Sequence, residues 1–226
     1  QPANPPLPTQ ASQSNFYYDS IKQLSNTDIK SNSLSILQLN IQGLNNTSKF
    51  DKFKNLMSSI KYSIDIIIIG ETKLKKSFAH GIYNLQGYNK YVCCRETANS
   101  GGGLMIYVRK ELLVLKVDKF SAGFERISLN LKINNKGYKI IAYYRAPVQN
   151  NLNPFFADLE NEIKATNDRI IIAGDINIDM NEKSKSANEY SNILDSFNIK
   201  VINDNKTRNI SGKVIDHFAC NFYEES

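Results

Sequence analysis

The sequence predicts an α/β protein built from two packed mixed β-sheets with helices outside them. Strand-like and helix-like segments alternate along most of the chain. Strand-like segments at 112–117, 126–133 and 138–144 follow one another directly, which is typical of an antiparallel meander, so the sheets cannot be purely parallel. The 226 residues suffice for one large domain or two small ones with a real core.

The first 33 residues have the composition of a linker or tail rather than of a folded domain. They contain four of the six prolines, many polar residues and few apolar ones. Such a segment cannot bury enough apolar surface to fold by itself. We therefore expect a flexible segment at 1–33 and a folded domain at 34–226. A chain that begins at Gln1 also resembles a piece of a longer protein.

The first half of this domain shows strands and one helix. Alternating apolar residues predict a strand at 34–40, and phenylalanines at helical spacing after a Thr47-Ser48 cap predict a helix. An apolar run that ends at Gly70 predicts a buried strand. Further strands are expected at 85–95 and 103–109, separated by a flexible turn at 99–102.

The second half begins with the meander, whose hairpin turn we place at 134–137. Pro154 then opens a predicted helix, a favourable position for proline in the first turn. A strand at 169–175, an amphipathic helix around 190–197 and a last strand at Val214–Cys220 complete the domain.

Composition excludes some classes of protein. The net charge of +6 is compatible with a polyanionic partner but is too mild to demonstrate one. Cys93, Cys94 and Cys220 form neither a disulfide framework nor a metal knuckle, which favours a reducing compartment. The longest apolar run, Ile66–Ile69, is too short to span a bilayer. We therefore predict an intracellular protein, nuclear or cytoplasmic, with no membrane partner.

The most informative stretch runs from Arg169 to Asp179, where an apolar strand is followed by Gly174, Asp175 and, two residues on, Asn177. Side chains alternate along a strand, so Asp175 and Asn177 are expected to project the same way from its carboxyl end. A carboxylate suits a hard cation, and an amide N–H suits a phosphate oxygen. The alternative is a strand followed by an ordinary Asx-type turn.

Polar groups also mark three other predicted strands: Asn40 closes the first strand, Glu71 follows the strand that ends at Gly70, and Asp216 interrupts the last strand. Each of these residues alone is more often a turn former. Together they favour a site, because burying carboxylates without a cation or hydrogen-bond partners costs several kcal/mol. Tyr144 and Arg145 end another strand, and both could orient a phosphate; alternatively, Tyr144 is an ordinary strand aromatic.

These residues lie in motifs that occur in the order found in the endonuclease/exonuclease/phosphatase superfamily, which includes DNase I and the apurinic/apyrimidinic endonucleases. The motifs are Leu39-Asn40-Ile41 with Gly43-Leu44, Gly70-Glu71-Thr72, Gly101-Gly102-Gly103-Leu104, Tyr144-Arg145-Ala146-Pro147, Gly174-Asp175-Ile176-Asn177 and Ile215-Asp216-His217. The glycine triplet and the Tyr-Arg pair look most like the endonuclease domain of non-LTR retrotransposons. The resemblance covers about residues 34–226 and implies a four-layer αββα sandwich of the DNase I type.

The resemblance also implies roles for individual residues. Glu71, with Asn40 beside it, would hold Mg²⁺, for which Mn²⁺ could substitute. Asp175 would orient or deprotonate the attacking water, Asn177 would bind the scissile phosphate and Tyr144 would lie against the phosphate or the leaving oxygen. The remaining assignments are Asp216, which would orient a histidine, and Arg145 and Thr207, which would contact DNA. Thr207 could equally be an ordinary loop residue.

One feature departs from the family pattern. Family members end with Ser-Asp-His, or a close variant, some tens of residues beyond the Ile-Asp motif, whereas this chain has only His80 and His217. If Asp216 faces the site, His217 should face away, because adjacent strand residues point to opposite faces. We therefore expect a domain truncated at its C-terminal end, with an unpaired sheet edge beside Val214–Cys220 and with poor cutting.

The sequence thus predicts a Mg²⁺-dependent DNA endonuclease that nicks target DNA for target-primed reverse transcription, impaired by loss of the terminal Asp-His. We expect a monomer with DNA as its partner and with a reverse transcriptase domain in the same parent polypeptide. Two alternatives remain: another phosphoesterase of the superfamily, such as a phosphatase, and a catalytically dead DNA- or protein-binding remnant.

Overall fold

A computed structural model describes residues 34–44, 47–60, 63–77, 80–95, 101–147, 151–202 and 215–222. The predicted tail at 1–33, half of the 99–102 turn, Thr207 and Val214 lie outside these residues. No helix within them is both long and apolar enough to cross a membrane.

The described strands form two sheets. The first sheet has the order β1-β2-β4-β3 and consists of β1 (Ile36–Asn40), β2 (Ile66–Gly70), β3 (Tyr88–Cys93) and β4 (Leu104–Arg109). The second has the order β5-β6-β7-β8-β10-β9 and consists of β5 (Leu113–Ser121), β6 (Phe124–Ile133), β7 (Lys136–Arg145), β8 (Arg169–Asp175), β9 (Lys200–Val201) and β10 (Asp216–Cys220). Both sheets are mixed, because β1–β2 and β7–β8 are parallel pairs among antiparallel ones.

Helices cover the outer faces of the two sheets. They are α1 (Thr47–Ser59), α2 (Asn153–Lys164) and α3 (Lys185–Ser196), with a 3₁₀ turn at His80–Tyr83. Pro154 lies in the first turn of α2, as predicted. Ser184 caps α3, because its hydroxyl accepts a hydrogen bond from the Ala187 N–H at 3.1 Å.

Three apolar layers result from this arrangement, and β2 shows how. Its four isoleucines are fully buried: Ile66 and Ile68 pack between the two sheets, whereas Ile67 and Ile69 pack toward α1. A third layer lies between the second sheet and α2 and α3. The molecule is therefore an αββα sandwich, which confirms the predicted fold class.

The hairpin turn is tighter than predicted. Asn134 and Asn135 have φ of 49° and 62°, and Ile133 pairs directly with Lys136. This is a two-residue turn of the type I′ kind, which asparagine tolerates better than most residues. Lys136 and Gly137, which we had placed in the turn, already belong to β7.

The expectation of an unpaired edge beside the last strand is wrong where β9 lies. β10 pairs with β8 on one side, and on the other Ala219 and Cys220 pair with Val201 and Lys200 of β9. The chain returns directly from α3 to form β9, as the hydrogen bond from the Ile199 N–H to the Leu194 carbonyl shows. A strand of two residues has no periodicity by which the sequence could reveal it.

Candidate active site

Five of the predicted polar residues meet at one rim of the sandwich, namely Asn40, Glu71, Tyr144, Asp175 and Asp216. In the second sheet, Tyr144 of β7 is the register partner of Asp175 of β8, which is itself the partner of Asp216 of β10. Residues paired across a sheet project to the same face. These three side chains therefore form a row across the sheet, and hydrogen bonds from β1 show that the row faces the first sheet.

Asn40 joins the two sheets at this rim. Its amide nitrogen Nδ2 lies 3.0 Å from Glu71 Oε1 and 3.1 Å from Asp175 Oδ2, so one NH₂ group donates to both carboxylates. Its oxygen Oδ1 accepts the Gln42 backbone N–H at 3.2 Å. Asn40 thus separates two like charges that come from opposite sheets, and its oxygen is turned toward the loop after β1.

The loop that carries Glu71 is held from two sides. Glu71 has φ of 51°, and its carbonyl accepts the Gly43 N–H at 2.7 Å. On the other side, the N–H of Thr72 donates to the Gly103 carbonyl at 3.1 Å. A Cβ on Gly103 would lie 2.4 Å from Thr72 Oγ1, so this member of the glycine triplet allows the close approach. A non-glycine residue at positive φ marks strain that the surroundings must hold, as at many functional sites.

Gly174 lets β8 approach β7 just before the catalytic candidate. Its φ is +145°, and a Cβ there would lie 1.9 Å from the Tyr143 carbonyl oxygen. Beyond Asp175 the strand ends, and the Asn177 N–H donates to Asp175 Oδ1 at 3.2 Å while Asn177 takes φ of 50°. The Asx-type turn is therefore real, and it coexists with the Asn40 contact. Strand alternation does not carry past Asp175, so our reason for placing Asn177 on the same face was wrong.

Arg145 and Asn177 hold each other. Arg145 donates from Nε to the Ile176 carbonyl and from Nη2 to the Asn177 carbonyl, both at 2.7 Å. In return, Asn177 Nδ2 donates to the Arg145 carbonyl at 2.7 Å. Arg145 is 3% exposed, and burial lowers its pKa. These hydrogen bonds position the Asp175–Asn177 turn, and the DNA contact of Arg145 stays a prediction.

Tyr144 lies between the two sheets. It is 4% exposed, and its ring is close enough to Gly70 that a Cβ there would lie 3.6 Å from it. Its hydroxyl makes no hydrogen bond to any described residue. Burial raises the pKa of Tyr144, and the nearby Glu71 and Asp175 charges raise it further. The phenol therefore keeps its proton and can act as a hydrogen-bond donor.

Asp216 is held from the opposite sheet, because Gln38 Nε2 donates to its Oδ1 at 3.1 Å. His217 points the other way, as predicted: it is fully buried, its Nε2 lies 3.0 Å from the Ile178 carbonyl oxygen, and its ring packs on Tyr190 of α3. His217 therefore cannot be the histidine that Asp216 would orient. His80, the other histidine, begins the 3₁₀ turn.

The structure brings three further residues to this rim that we did not predict. Gln38 precedes Asn40 by two positions, so strand alternation could have identified it. Arg95 and Glu125 form an ion pair at 2.6 Å, and the Arg95 guanidinium lies over the Tyr144 ring at 5.7 Å. An ion pair between residues 30 positions apart leaves no local pattern in the sequence.

The donor set at the rim suits one kind of metal ion. Among the described residues there is no group of three or more His, Cys, Asp or Glu that could hold a metal ion. Glu71 and Asp175 instead present two carboxylates that share one amide. Mg²⁺ is commonly bound by one or two carboxylates and keeps several of its waters, so the pair fits this ion.

The sequence over residues 37–218 matches the model of the endonuclease/exonuclease/phosphatase family. No curated protein matches the sequence at a significant level. Solved structures share the fold. A protein of this family from Leptotrichia buccalis is 14% identical with a TM-score of 0.63, and the match covers 84% of this chain and 88% of that one.

Two other similar structures are of a 3′ phosphatase and of an endonuclease domain. The 3′ phosphatase NExo from Neisseria, solved with a product DNA hairpin, is 16% identical with a TM-score of 0.60 over 83% of this chain and 86% of its own. The endonuclease domain of TRAS1, a telomere-specific non-LTR retrotransposon, is 15% identical with a TM-score of 0.59 over 82% and 83% of the two chains. At these identities the likeness establishes the fold.

Proposed function

Because the chain belongs to the endonuclease/exonuclease/phosphatase family, we propose that it is a Mg²⁺-dependent DNA endonuclease that nicks target DNA for the reverse transcription of a non-LTR retrotransposon. One observation carries this proposal: the amide of Asn40 holds Glu71 and Asp175 together across the two sheets, in a place where Tyr144 adds a protonated phenol. This arrangement suits the hydrolysis of a phosphodiester, whose transition state needs fixed donors, a positioned water and added positive charge.

Each residue has a distinct task in this proposal. Asp175 accepts a proton from the attacking water or orients it, and its two oxygens are already fixed by Asn40 and by the Asn177 N–H. Asn177 donates one amide N–H to the Arg145 carbonyl, which leaves its second N–H for a phosphate oxygen. Tyr144 donates its phenol proton to the phosphate or the leaving oxygen.

Glu71 would hold Mg²⁺, with Asn40 beside it, and Mn²⁺ would be an acceptable substitute. The ion would supply positive charge to the phosphate oxygens when bound. Asp216, held by Gln38, would orient a histidine that no described residue provides.

Several features favour DNA over a small phosphoester. The chain carries a net charge of +6, which attracts a polyanion. Two proteins of similar fold are a retrotransposon endonuclease domain and an enzyme solved with a DNA hairpin. The proposal also places a reverse transcriptase domain in the parent polypeptide and the reaction in the nucleus, where target DNA lies.

A plasmid-nicking assay with Mg²⁺ tests the proposal. Wild-type protein should convert supercoiled plasmid to the open circle, and Asp175→Ala should nick about 10²–10⁴-fold more slowly, the range for loss of a general base. Asp195→Ala, an exposed position on α3, is the matched control and should nick like wild type. Equal nicking by wild type and Asp175→Ala would refute the proposal, and release of phosphate from phosphomonoesters without nicking would favour a phosphatase.

A DNA-binding module that does not cut is the second candidate, and one observation favours it: His217 faces α3 rather than the site. Such a module would shift duplex DNA in a gel but leave plasmid uncut with Mg²⁺ or Mn²⁺. Appending about 20 residues that end in Ser-Asp-His should then raise nicking by about 10²–10⁴-fold. No gain in rate would mean that another group does the work of the histidine.

A further inference from the structure

Arg95 is held rigidly at the rim by a carboxylate beneath it. Its Nε and Nη2 donate to the two oxygens of Glu125 at 2.6 and 3.0 Å, which is the bidentate geometry typical of strong Arg–carboxylate pairs. The Glu125 side chain is only 1% exposed, whereas that of Arg95 is 20% exposed. The carboxylate therefore serves as a buried anchor, and the guanidinium reaches the surface.

Two further groups restrict the guanidinium. Its central carbon lies 5.7 Å from the centroid of the Tyr144 ring, within the range of a cation–π contact. On another side lies the backbone of Gly102, where a Cβ would be 2.5 Å from the same carbon, at a φ of +75°. Gly102 therefore leaves room for the guanidinium as well as adopting a backbone conformation that other residues avoid.

The guanidinium still has N–H groups to offer. Glu125 takes one N–H of Nη2 and the Nε–H, and the remaining N–H groups on Nη1 and Nη2 make no hydrogen bond within the described part of the chain. Burial opposes the charge, but the hydrogen bond and the charge of Glu125 outweigh this effect and raise the pKa of Arg95. The group therefore keeps its positive charge beside Tyr144.

A buried ion pair is weak grounds for stability, because well-packed apolar residues of similar volume are often as stable. The Arg95–Glu125 pair must therefore be explained in another way, and its position at the rim suggests how. A planar, fixed guanidinium with unused donors is suited to the bidentate recognition of a phosphate. Arg145, for which we predicted a phosphate contact, donates its Nε–H and an Nη2–H to backbone carbonyls.

We propose that Arg95 is a DNA contact that binds a phosphodiester group next to Tyr144, that Glu125 positions it, and that Gly102 makes room for it. The inference rests on the proposed function and identifies a residue that sets where the strand lies relative to Tyr144 and Asp175. It also accounts for Gly102 within the glycine triplet.

The test measures binding of a fluorescent DNA duplex by anisotropy, without divalent metal and over a series of salt concentrations. Arg95→Met should weaken binding about tenfold and reduce the slope of log K against log salt by about one unit, as for the loss of one phosphate contact. Because this change leaves Glu125 buried without its partner, the double variant Arg95→Met/Glu125→Gln is measured beside it. Arg95→Lys should keep the slope but lose part of the affinity.

Arg109→Met is the matched control. Arg109 ends β4 at the opposite end of the first sheet, where it pairs with Asp65 at 3.2 Å and is 33% exposed. This variant removes one positive charge from the protein but should leave both the affinity and the slope unchanged.

The outcomes are separable. If the double variant binds DNA with the affinity and salt slope of wild type, the proposed role of Arg95 is overturned. The proposed function would still stand in that case, provided that wild type nicks plasmid and Asp175→Ala does not. Equal losses of DNA affinity in Arg109→Met and Arg95→Met would also overturn the role of Arg95, because net charge alone would then explain the effect. If wild type neither binds nor nicks DNA, both proposals fail together.

Discussion

Replacing Asn40 by Asp should turn the rim into a cluster of three carboxylates. The new oxygen would take the place of Nδ2, which lies 3.0 Å from Glu71 Oε1 and 3.1 Å from Asp175 Oδ2. Two unit charges about 4 Å apart interact with about 4 kcal/mol at an effective dielectric constant near 20. Two such repulsions exceed the free energy needed to protonate a carboxyl group at neutral pH, so the cluster should take up a proton.

The pH dependence follows from this proton. The pKa of the new carboxyl group is raised in the folded state, so the folded state binds the proton more tightly than the unfolded one. Stability is therefore lost as the pH rises above the unfolded value of about 3.9, at about 1.4 kcal/mol per pH unit. Relative to wild type, the charge should cost about 1.5 kcal/mol at pH 5 and about 4 kcal/mol at pH 7.

Urea unfolding of wild type, Asn40→Asp and Asn40→Leu at pH 5, 6 and 7 measures this effect. Asn40→Leu loses the same two hydrogen bonds without adding a charge, so its deficit should depend much less on pH. Mg²⁺ at pH 7 should restore more stability to Asn40→Asp than to wild type, because a third carboxylate adds a ligand for the ion. If the loss of stability in Asn40→Asp is the same at pH 5 and pH 7 and is unaffected by Mg²⁺, then residue 40 does not lie between Glu71 and Asp175.

Three other predictions concern the fold. In a urea titration, Gly174→Ala should lower the free energy of unfolding by about 3–5 kcal/mol, because the new methyl group would lie 1.9 Å from a carbonyl oxygen of β7. The control is Gly81→Ala, since a Cβ at Gly81 would have nothing within 4 Å. This variant should stay within about 0.5 kcal/mol of wild type. Arg126→Met should lower the free energy of unfolding by about 3–5 kcal/mol, because this buried arginine contacts three carboxylates. Combining it with Glu162→Gln should recover part of that loss. If the double variant recovers no stability, unpaired charge is not the cause. Burial raises the pKa of Cys93 to about 11, so its thiol stays protonated at pH 8. It should therefore resist iodoacetamide until the protein unfolds or the pH passes about 10. Peptide mass spectrometry measures the labelling, and rapid labelling of the native protein at pH 8 would contradict a buried thiol.

Much of the fold could be predicted because its patterns are local. The isoleucines of β2, the proline that opens α2 and the two asparagines of the hairpin each reflect what their own backbone segment requires. The alternation of strands also placed Asp216 and His217 on opposite faces correctly. Two-residue β9 escaped prediction, because it is too short to show a period. The Asx-type turn after Asp175 was expected only as the alternative to a site, whereas the structure shows the turn together with the Asn40 contact.

The sequence by itself thus determined the layers of this protein and the set of polar groups that end its strands. Only the tertiary structure decided which partners those groups have: it turned Arg145 inward and brought Arg95 over Tyr144. It also placed Gln38 against Asp216, 178 positions away. The physical reason is that hydrophobic periodicity specifies which face of an element is buried, whereas a hydrogen bond or an ion pair depends on the distance between two atoms, and that distance is set when the two sheets pack.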